Sequence, residues 1–200
     1  MTNQHKSKRV GIFGGSFNPI HIGHTALANW VVEQGYVDEI WFVVSPLNPL
    51  KEAANLLDAH TRLKLVQLAI GDYSKFKVCT IEFELAQPNY MYRTLEVLQQ
   101  QNPTINFQLL IGLDNWLDFS KWKKATQIMA NYPILVYPRP GYSIGESLFP
   151  SSVSYLCDMP VMDISSSMIC QALNEGKNMQ FFLSPRILES MKELFPALKN

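Results

Sequence analysis

Gly11-Ile-Phe-Gly-Gly-Ser-Phe-Asn-Pro-Ile-His-Ile-Gly-His24 joins a short apolar run to an apolar helical stretch. Val10 to Phe13 suits a buried parallel strand, and Ala26 to Val32 reads as the helix that follows it. Between them lie Gly14 and Gly15, whose missing Cβ atoms let the backbone turn tightly and come close to a ligand. The helix start adds unpaired N–H groups and the positive end of a dipole. A strand, a glycine turn, a hydroxyl and two histidines at a helix N-terminus together read as phosphate-handling chemistry.

The better-known phosphate loops do not fit. No Gly-x-x-x-x-Gly-Lys-[Ser/Thr] is present, and Gly11, Gly14 and Gly15 do not match Gly-x-Gly-x-x-Gly. His21 and His24 do not read as a metal pair, because Gly23 lies inside it and no third helical ligand is spaced to complete it. Two histidines beside glycines are, taken alone, satisfied loop residues about as often as functional ones. The fourteen-residue context shifts the reading toward function.

Outward from this stretch, the bulk composition is that of an ordinary globular protein. The 200 residues are 47% hydrophobic and 17% charged, enough for one domain with a sizeable core. Seventeen basic residues balance seventeen acidic ones, so neither a large nucleic-acid footprint nor a membrane-surface patch is expected. Cys79, Cys157 and Cys170 are odd in number and widely spaced, which reads as reduced cytosolic thiols. Met1 to Arg9 is polar and basic without the apolar core of a signal peptide, and is expected to be a frayed end. No apolar run approaches the roughly 18 residues that cross a bilayer. A cytoplasmic location is the expectation, and the sequence leaves homo-oligomerisation open.

Strand-like runs recur at Val10–Phe13, Ile40–Val44, Val78–Phe83, Phe107–Ile111, Ile134–Tyr137 and Val153–Leu156. Helical patterns lie between most of them. His60 to Gly71 carries Leu63, Val66 and Ile70 on one face, and Met91 to Gln100 carries Leu95 and Leu98. The alternation predicts an α/β fold of Rossmann-like, doubly wound type, with a mostly parallel sheet, C-terminal helices and a single domain over residues 1–200. Gly14–Gly15, Ser45–Pro46, Gly112 and Arg139–Pro140 follow strand ends and are expected to meet at one edge. Residues 138–150 read as a loop, and Ser184 with Pro185 as the N-cap and first residue of a last helix. Asp163-Ile-Ser-Ser-Ser-Met-Ile-Cys170 places three hydroxyls at another helix start, where capping is the plain reading.

The opening stretch resembles the nucleotidyltransferase signature Gly-Gly-[Ser/Thr]-Phe-[Asp/Asn]-Pro-x-His-x-Gly-His, whose last four positions are shared with class I aminoacyl-tRNA synthetases. Ser165, Ser166, Ser167 and Ile169 are similar to the superfamily's Ile-Ser-[Ser/Ala]-[Thr/Ser]-x-Ile-Arg segment, which binds the outer phosphates of ATP. Cys170 stands where that segment has arginine. Asn48-Pro-Leu-Lys51, Ile111 to Trp122 and Arg139-Pro-Gly-Tyr142 resemble segments of the nicotinate-nucleotide adenylyltransferases, and Arg62 stands where they carry an arginine. The resemblance runs from about Val10 to about Leu194.

It implies adenylyl transfer from ATP to nicotinate mononucleotide, giving nicotinate adenine dinucleotide and pyrophosphate. His21, His24 and Lys51 are the implied catalytic residues. Gly14, Gly15, Ser16, Phe17, Gly112, Asp114, Ser165, Ser166 and Ser167 would bind ATP and its phosphates. Tyr90, Met91, Trp122 and Arg139 would bind the mononucleotide, Trp122 by stacking and the Asn89–Met91 turn through backbone N–H groups. Mg²⁺ is implied as the cofactor, held mainly by the phosphates of ATP, and no protein ligand to it is named. The alternatives are a sister adenylyltransferase using nicotinamide mononucleotide or phosphopantetheine, and a catalytically weakened nucleotide-binding module. No nucleic-acid polymer or membrane partner is expected. An aminoacyl-tRNA synthetase is disfavoured by the absence of a Lys-Met-Ser-Lys-Ser loop and of room for an anticodon-binding module.

Overall fold

A computed structural model describes residues 7–46, 57–144 and 149–194. Six strands form one parallel sheet: β1 (Arg9–Gly15), β2 (Glu39–Val44), β3 (Phe76–Cys79), β4 (Asn106–Gly112), β5 (Ile134–Tyr137) and β6 (Val153–Tyr155). Their order across the sheet is β3-β2-β1-β4-β5-β6. The order reverses between β1 and β4, and a doubly wound sheet of this kind opens its ligand crevice there, beyond the strand carboxyl ends.

The helices are α1 (Ile22–Glu33), α2 (Ala59–Ile70), α3 (Ile81–Glu84), α4 (Met91–Gln101), α5 (Leu113–Leu117), α6 (Ala125–Asn131), α7 (Ser166–Asn174) and α8 (Leu188–Leu194). Alternate strand residues feed two cores, as a pleated strand requires. On one face Phe13, Ile40, Phe42 and Leu110 pack with Leu27, Val31, Leu65, Ile169, Ile187 and Met191. On the other, Val10, Ile12, Val43, Leu109 and Ile111 pack with Leu95, Leu98, Leu113 and Ile128. Each fully buried aliphatic side chain contributes about 1.5–3 kcal/mol, so both faces of the sheet are secured by apolar burial.

Three expectations are corrected. Val78–Phe83 does not continue as a strand: β3 ends at Cys79 and Ile81–Glu84 turns helical, because Glu82 is drawn inside to accept from Thr94 while Ile81 still reaches the core. The inward face of α2 is Arg62, Leu65, Val66 and Ile70, whereas Leu63 is only half-buried. Arg9 is not frayed; it opens β1, its N–H and guanidinium donating to Asp38 and its guanidinium also to the Gly35 carbonyl. Ser184 does accept from the Arg186 N–H ahead of Pro185, which begins a 3₁₀ turn leading into α8.

Candidate active site

The phosphate-type loop leaves β1 at Gly14 and Gly15. A Cβ on Gly14 would lie 2.7 Å from the Met91 methyl, so the side chain at the head of α4 packs directly on the backbone of β1. Phe17 follows in the left-handed region, at φ 44°, a conformation that costs a non-glycine residue of order 1–3 kcal/mol. Its ring offsets that cost by burial. It meets Phe13 edge-on at 5.5 Å and His24 at 5.1 Å, and it also contacts Phe42.

His21 is the N-cap of α1, and His24 sits at its third position. The His21 backbone N–H donates to His24 Nδ1 at 3.3 Å, and the two rings lie 3.7 Å apart at 35°. An Nδ1 that accepts carries no proton, so the ring proton of His24 is on Nε2. His21 is 5% exposed and its ring folds over Gly23, where a Cβ would come within 3.0 Å of it. Burial, reinforced by the charge of Arg139, pushes its pKa down to about 4, so His21 is neutral at pH 7.

The parallel neighbours β2, β1, β4 and β5 bring their carboxyl ends to one edge of the sheet. The cleft at the carboxyl edge is lined by His21, His24, Tyr137, Arg139, Met162 and Ile164. Arg139, which the resemblance assigns to the mononucleotide, thus stands beside the histidines. Its Nε lies 3.5 Å from Asp114 Oδ1, an ion pair too long for a good hydrogen bond, and that oxygen is buried with no hydrogen-bond partner. Gly112 makes the pairing possible, because a Cβ there would lie 2.3 Å from Asp114 Oδ1 and 3.0 Å from Arg139 Cγ.

The serine helix divides into three roles. Ser165 is the N-cap of α7, its Oγ accepting from the Met168 N–H at 3.1 Å. The Ser166 hydroxyl donates to the Pro19 carbonyl at 2.9 Å, and Ser167 is exposed. Cys170 Sγ donates to the Asn18 carbonyl at 3.4 Å, and burial pushes its thiol pKa up. The thiol is therefore protonated at neutral pH, and it ties α7 to the loop instead of acting as a nucleophile.

At the head of α4, Tyr90 is the N-cap and Lys123 lies 4.5 Å over its ring. Trp122, half-buried, packs on Phe119 at 5.3 Å. The loop holding Tyr90 is anchored from within: Asn89 donates to the Glu82 carbonyl at 2.9 Å, and the Thr94 hydroxyl donates to Glu82 Oε1 at 2.9 Å. Burial raises the Glu82 pKa against the opposing effect of the Ser45 and Thr94 hydroxyls. Glu82 belongs to no motif, and its one mark in the sequence is a charge set between the apolar Ile81 and Phe83.

Arg62 is the residue whose part was least legible. It is 1% exposed, and its guanidinium donates to the carbonyls of Leu57 (2.9 Å), Ser16 (2.6 Å), Ser45 (2.8 Å) and Pro46 (2.9 Å). Lys51 and the Asn48-Pro-Leu segment before it lie outside the described residues. Among the described residues, no group of three or more His, Cys, Asp or Glu side chains gathers to hold a metal ion. Among them, too, no helix is long and apolar enough to cross a membrane.

A parallel sheet in this order, with a histidine pair at its first strand-helix junction and a second helix tied to the same loop, defines a nucleotidyltransferase. A cytidylyltransferase-like family model matches residues 12–172. Within that class the chain belongs to the nicotinate-nucleotide adenylyltransferase family. It is 48% identical over 179 residues to a Bacteroides fragilis protein named "Probable nicotinate-nucleotide adenylyltransferase", covering 90% of this chain and 89% of the relative. A Porphyromonas gingivalis protein of the same name is 43% identical over 191 residues, 96% of either chain. The Plasmodium falciparum nicotinic acid mononucleotide adenylyltransferase, solved in complex with NaAD, shares the fold with a TM-score of 0.75 at 20% identity, covering 94% of this chain and 98% of that one.

Proposed function

We propose that this enzyme transfers the adenylyl group of ATP to nicotinate mononucleotide, with pyrophosphate as the second product. An oxygen of the mononucleotide 5′-phosphate attacks the α-phosphorus. The new P–O bond forms as the bond from that phosphorus to the α,β-bridging oxygen breaks, and the electron pair leaves with pyrophosphate. A phosphate oxygen is already nucleophilic at neutral pH, so alignment and charge stabilisation carry the catalysis, and no general base is needed.

The observation that carries this reading is the His21–His24 pair. With Nδ1 of His24 occupied by the His21 N–H, its Nε2–H is a preset donor for an α-phosphate oxygen. Neutral His21 positions the same phosphate, and Arg139 beside it adds fixed positive charge. The Gly14–Phe17 loop and the head of α7 take the remaining phosphates, with Ser165 and Ser166 acting through the helix start they cap and anchor. Gly112 and Asp114 line the nucleotide side. Lys51 neutralises developing charge. Tyr90, Met91 and Trp122 receive the pyridine ring and its carboxylate at the head of α4.

Nucleotidyltransferases work with a divalent metal and ATP. Mg²⁺ is the proposed ion, and it would supply positive charge that offsets the charge of the triphosphate. Asp114, the carboxylate in this site, is already paired with Arg139, a donor set that fits an ion carried by ATP and water better than one caged by protein. A cytoplasmic location and one nucleotidyltransferase domain over residues 1–200 complete the reading.

Single-turnover pyrophosphate release with ATP, Mg²⁺ and each mononucleotide tests it. The acid mononucleotide is expected to outpace the amide, because backbone N–H groups favour a carboxylate. Equal or reversed preference would move the assignment to a sister adenylyltransferase, and ATP binding without release on any acceptor would leave a binding module.

A further inference from the structure

The Arg62 guanidinium is buried, and its hydrogen-bond partners among the described residues are all backbone carbonyls, with the Asp58 carboxylate acting on it only through its charge. Burying such a charge is costly, and an apolar side chain on the same face of α2 as Leu65 and Val66 would avoid that penalty. What the guanidinium adds over an apolar group is orientation. Its fork grips Ser16 just past β1, Ser45 and Pro46 just past β2, and Leu57 ahead of α2. The Ser16–Phe17 peptide bond is trans, the cis bonds being Asn18–Pro19 and Gln87–Pro88. In a trans unit the carbonyl and the following N–H point in opposite directions. Arg62 draws the Ser16 carbonyl toward the β2 side, so the Phe17 N–H faces away from it, toward the reversal between β1 and β4. That N–H has no hydrogen-bond partner among the described residues.

We propose that Arg62 is a positioning residue for adenylyl transfer: by fixing the Ser16 carbonyl it aims the Phe17 N–H at a phosphate oxygen of ATP. The proposal rests on the adenylyl-transfer reading of the site. Lysine keeps the charge but offers donors from a single nitrogen, so it cannot hold four carbonyls in a planar fork.

The test compares Arg62→Lys and Arg62→Met with the wild type, with rates expressed per folded molecule from thermal melts. For a folded variant, the ATP KM is expected to rise about tenfold and kcat to fall at least tenfold, while the mononucleotide KM stays within twofold. A purely structural role would lower the folded fraction and leave both KM values in place. That outcome, or unchanged ATP kinetics in a folded variant, overturns the proposal. Should neither variant fold, the wild type decides by amide NMR with α,β-methylene ATP. A large shift of the Phe17 amide supports the proposal, and an unmoved Phe17 amide overturns it. This arm needs no acceptor, so a Phe17 response in an enzyme that releases no pyrophosphate would uphold the positioning while removing the reaction.

Discussion

The His24 ring lies 3.7 Å from the ring of His21, and its Nδ1 accepts the His21 backbone N–H. One contact thereby sets the tautomer of His24 and seals the start of α1, so the helix N-terminus and the proposed phosphate donor are parts of the same arrangement. His24→Ala is expected to lower kcat by two or more orders of magnitude in pyrophosphate release, with the far-UV spectrum unchanged. Near-normal turnover in that variant would remove the histidine from the chemistry.

His21 makes stability depend on pH. Its folded pKa of about 4 lies below its ordinary 6.5, so between those values the unfolded chain binds more protons than the folded one. Stability is therefore complete above pH 6.5 and is lost as pH falls toward 4, by roughly 3 kcal/mol in all and roughly 2 kcal/mol by pH 5. His21→Gln removes the titration. Melting the two proteins at pH 7 and pH 5 should show a steeper loss in the wild type, and parallel losses would contradict the assignment.

Gly112→Ala places a methyl 2.3 Å from Asp114 Oδ1 and 3.0 Å from Arg139 Cγ. The φ of Gly112 is −75°, so the backbone tolerates alanine and the effect falls on the ion pair. About 1–3 kcal/mol of stability should be lost, with a several-fold rise in the ATP KM. Unchanged melting and kinetics would mean that the Asp114–Arg139 geometry is incidental.

Cys170 occupies the position where the superfamily segment carries arginine, and its thiol is spent on the Asn18 carbonyl. Cys170→Arg should restore a charge-assisted phosphate contact worth about 1.5–3 kcal/mol, seen as a 10- to 100-fold gain in kcat/KM for ATP. Cys170→Ser should behave as the wild type, since a hydroxyl can make the same bond. An arginine variant with unaltered ATP kinetics would show that the missing charge is supplied elsewhere.

Trp122→Ala should raise the mononucleotide KM about tenfold and leave the ATP KM within twofold, as expected for an aromatic face that serves one substrate only. A rise in both constants would instead point to collapse of the Phe119–Trp122 packing.

Gly11 to His24 determined a great deal without coordinates. Glycines and a helix start at a strand end have few structural uses, and the apolar runs around them specified a parallel α/β sheet because period and burial are local properties of the chain. What only the tertiary structure decided lies in pairings between distant segments. Arg62 joins Ser16, Ser45 and Leu57. Ser166 and Cys170 reach back to Pro19 and Asn18, and Glu82 turns inward to Thr94 and ends a strand that Val78 to Phe83 would otherwise continue. Backbone carbonyls carry no mark in the sequence, so a side chain whose partners are carbonyls looks like any other polar residue until the fold brings the two together.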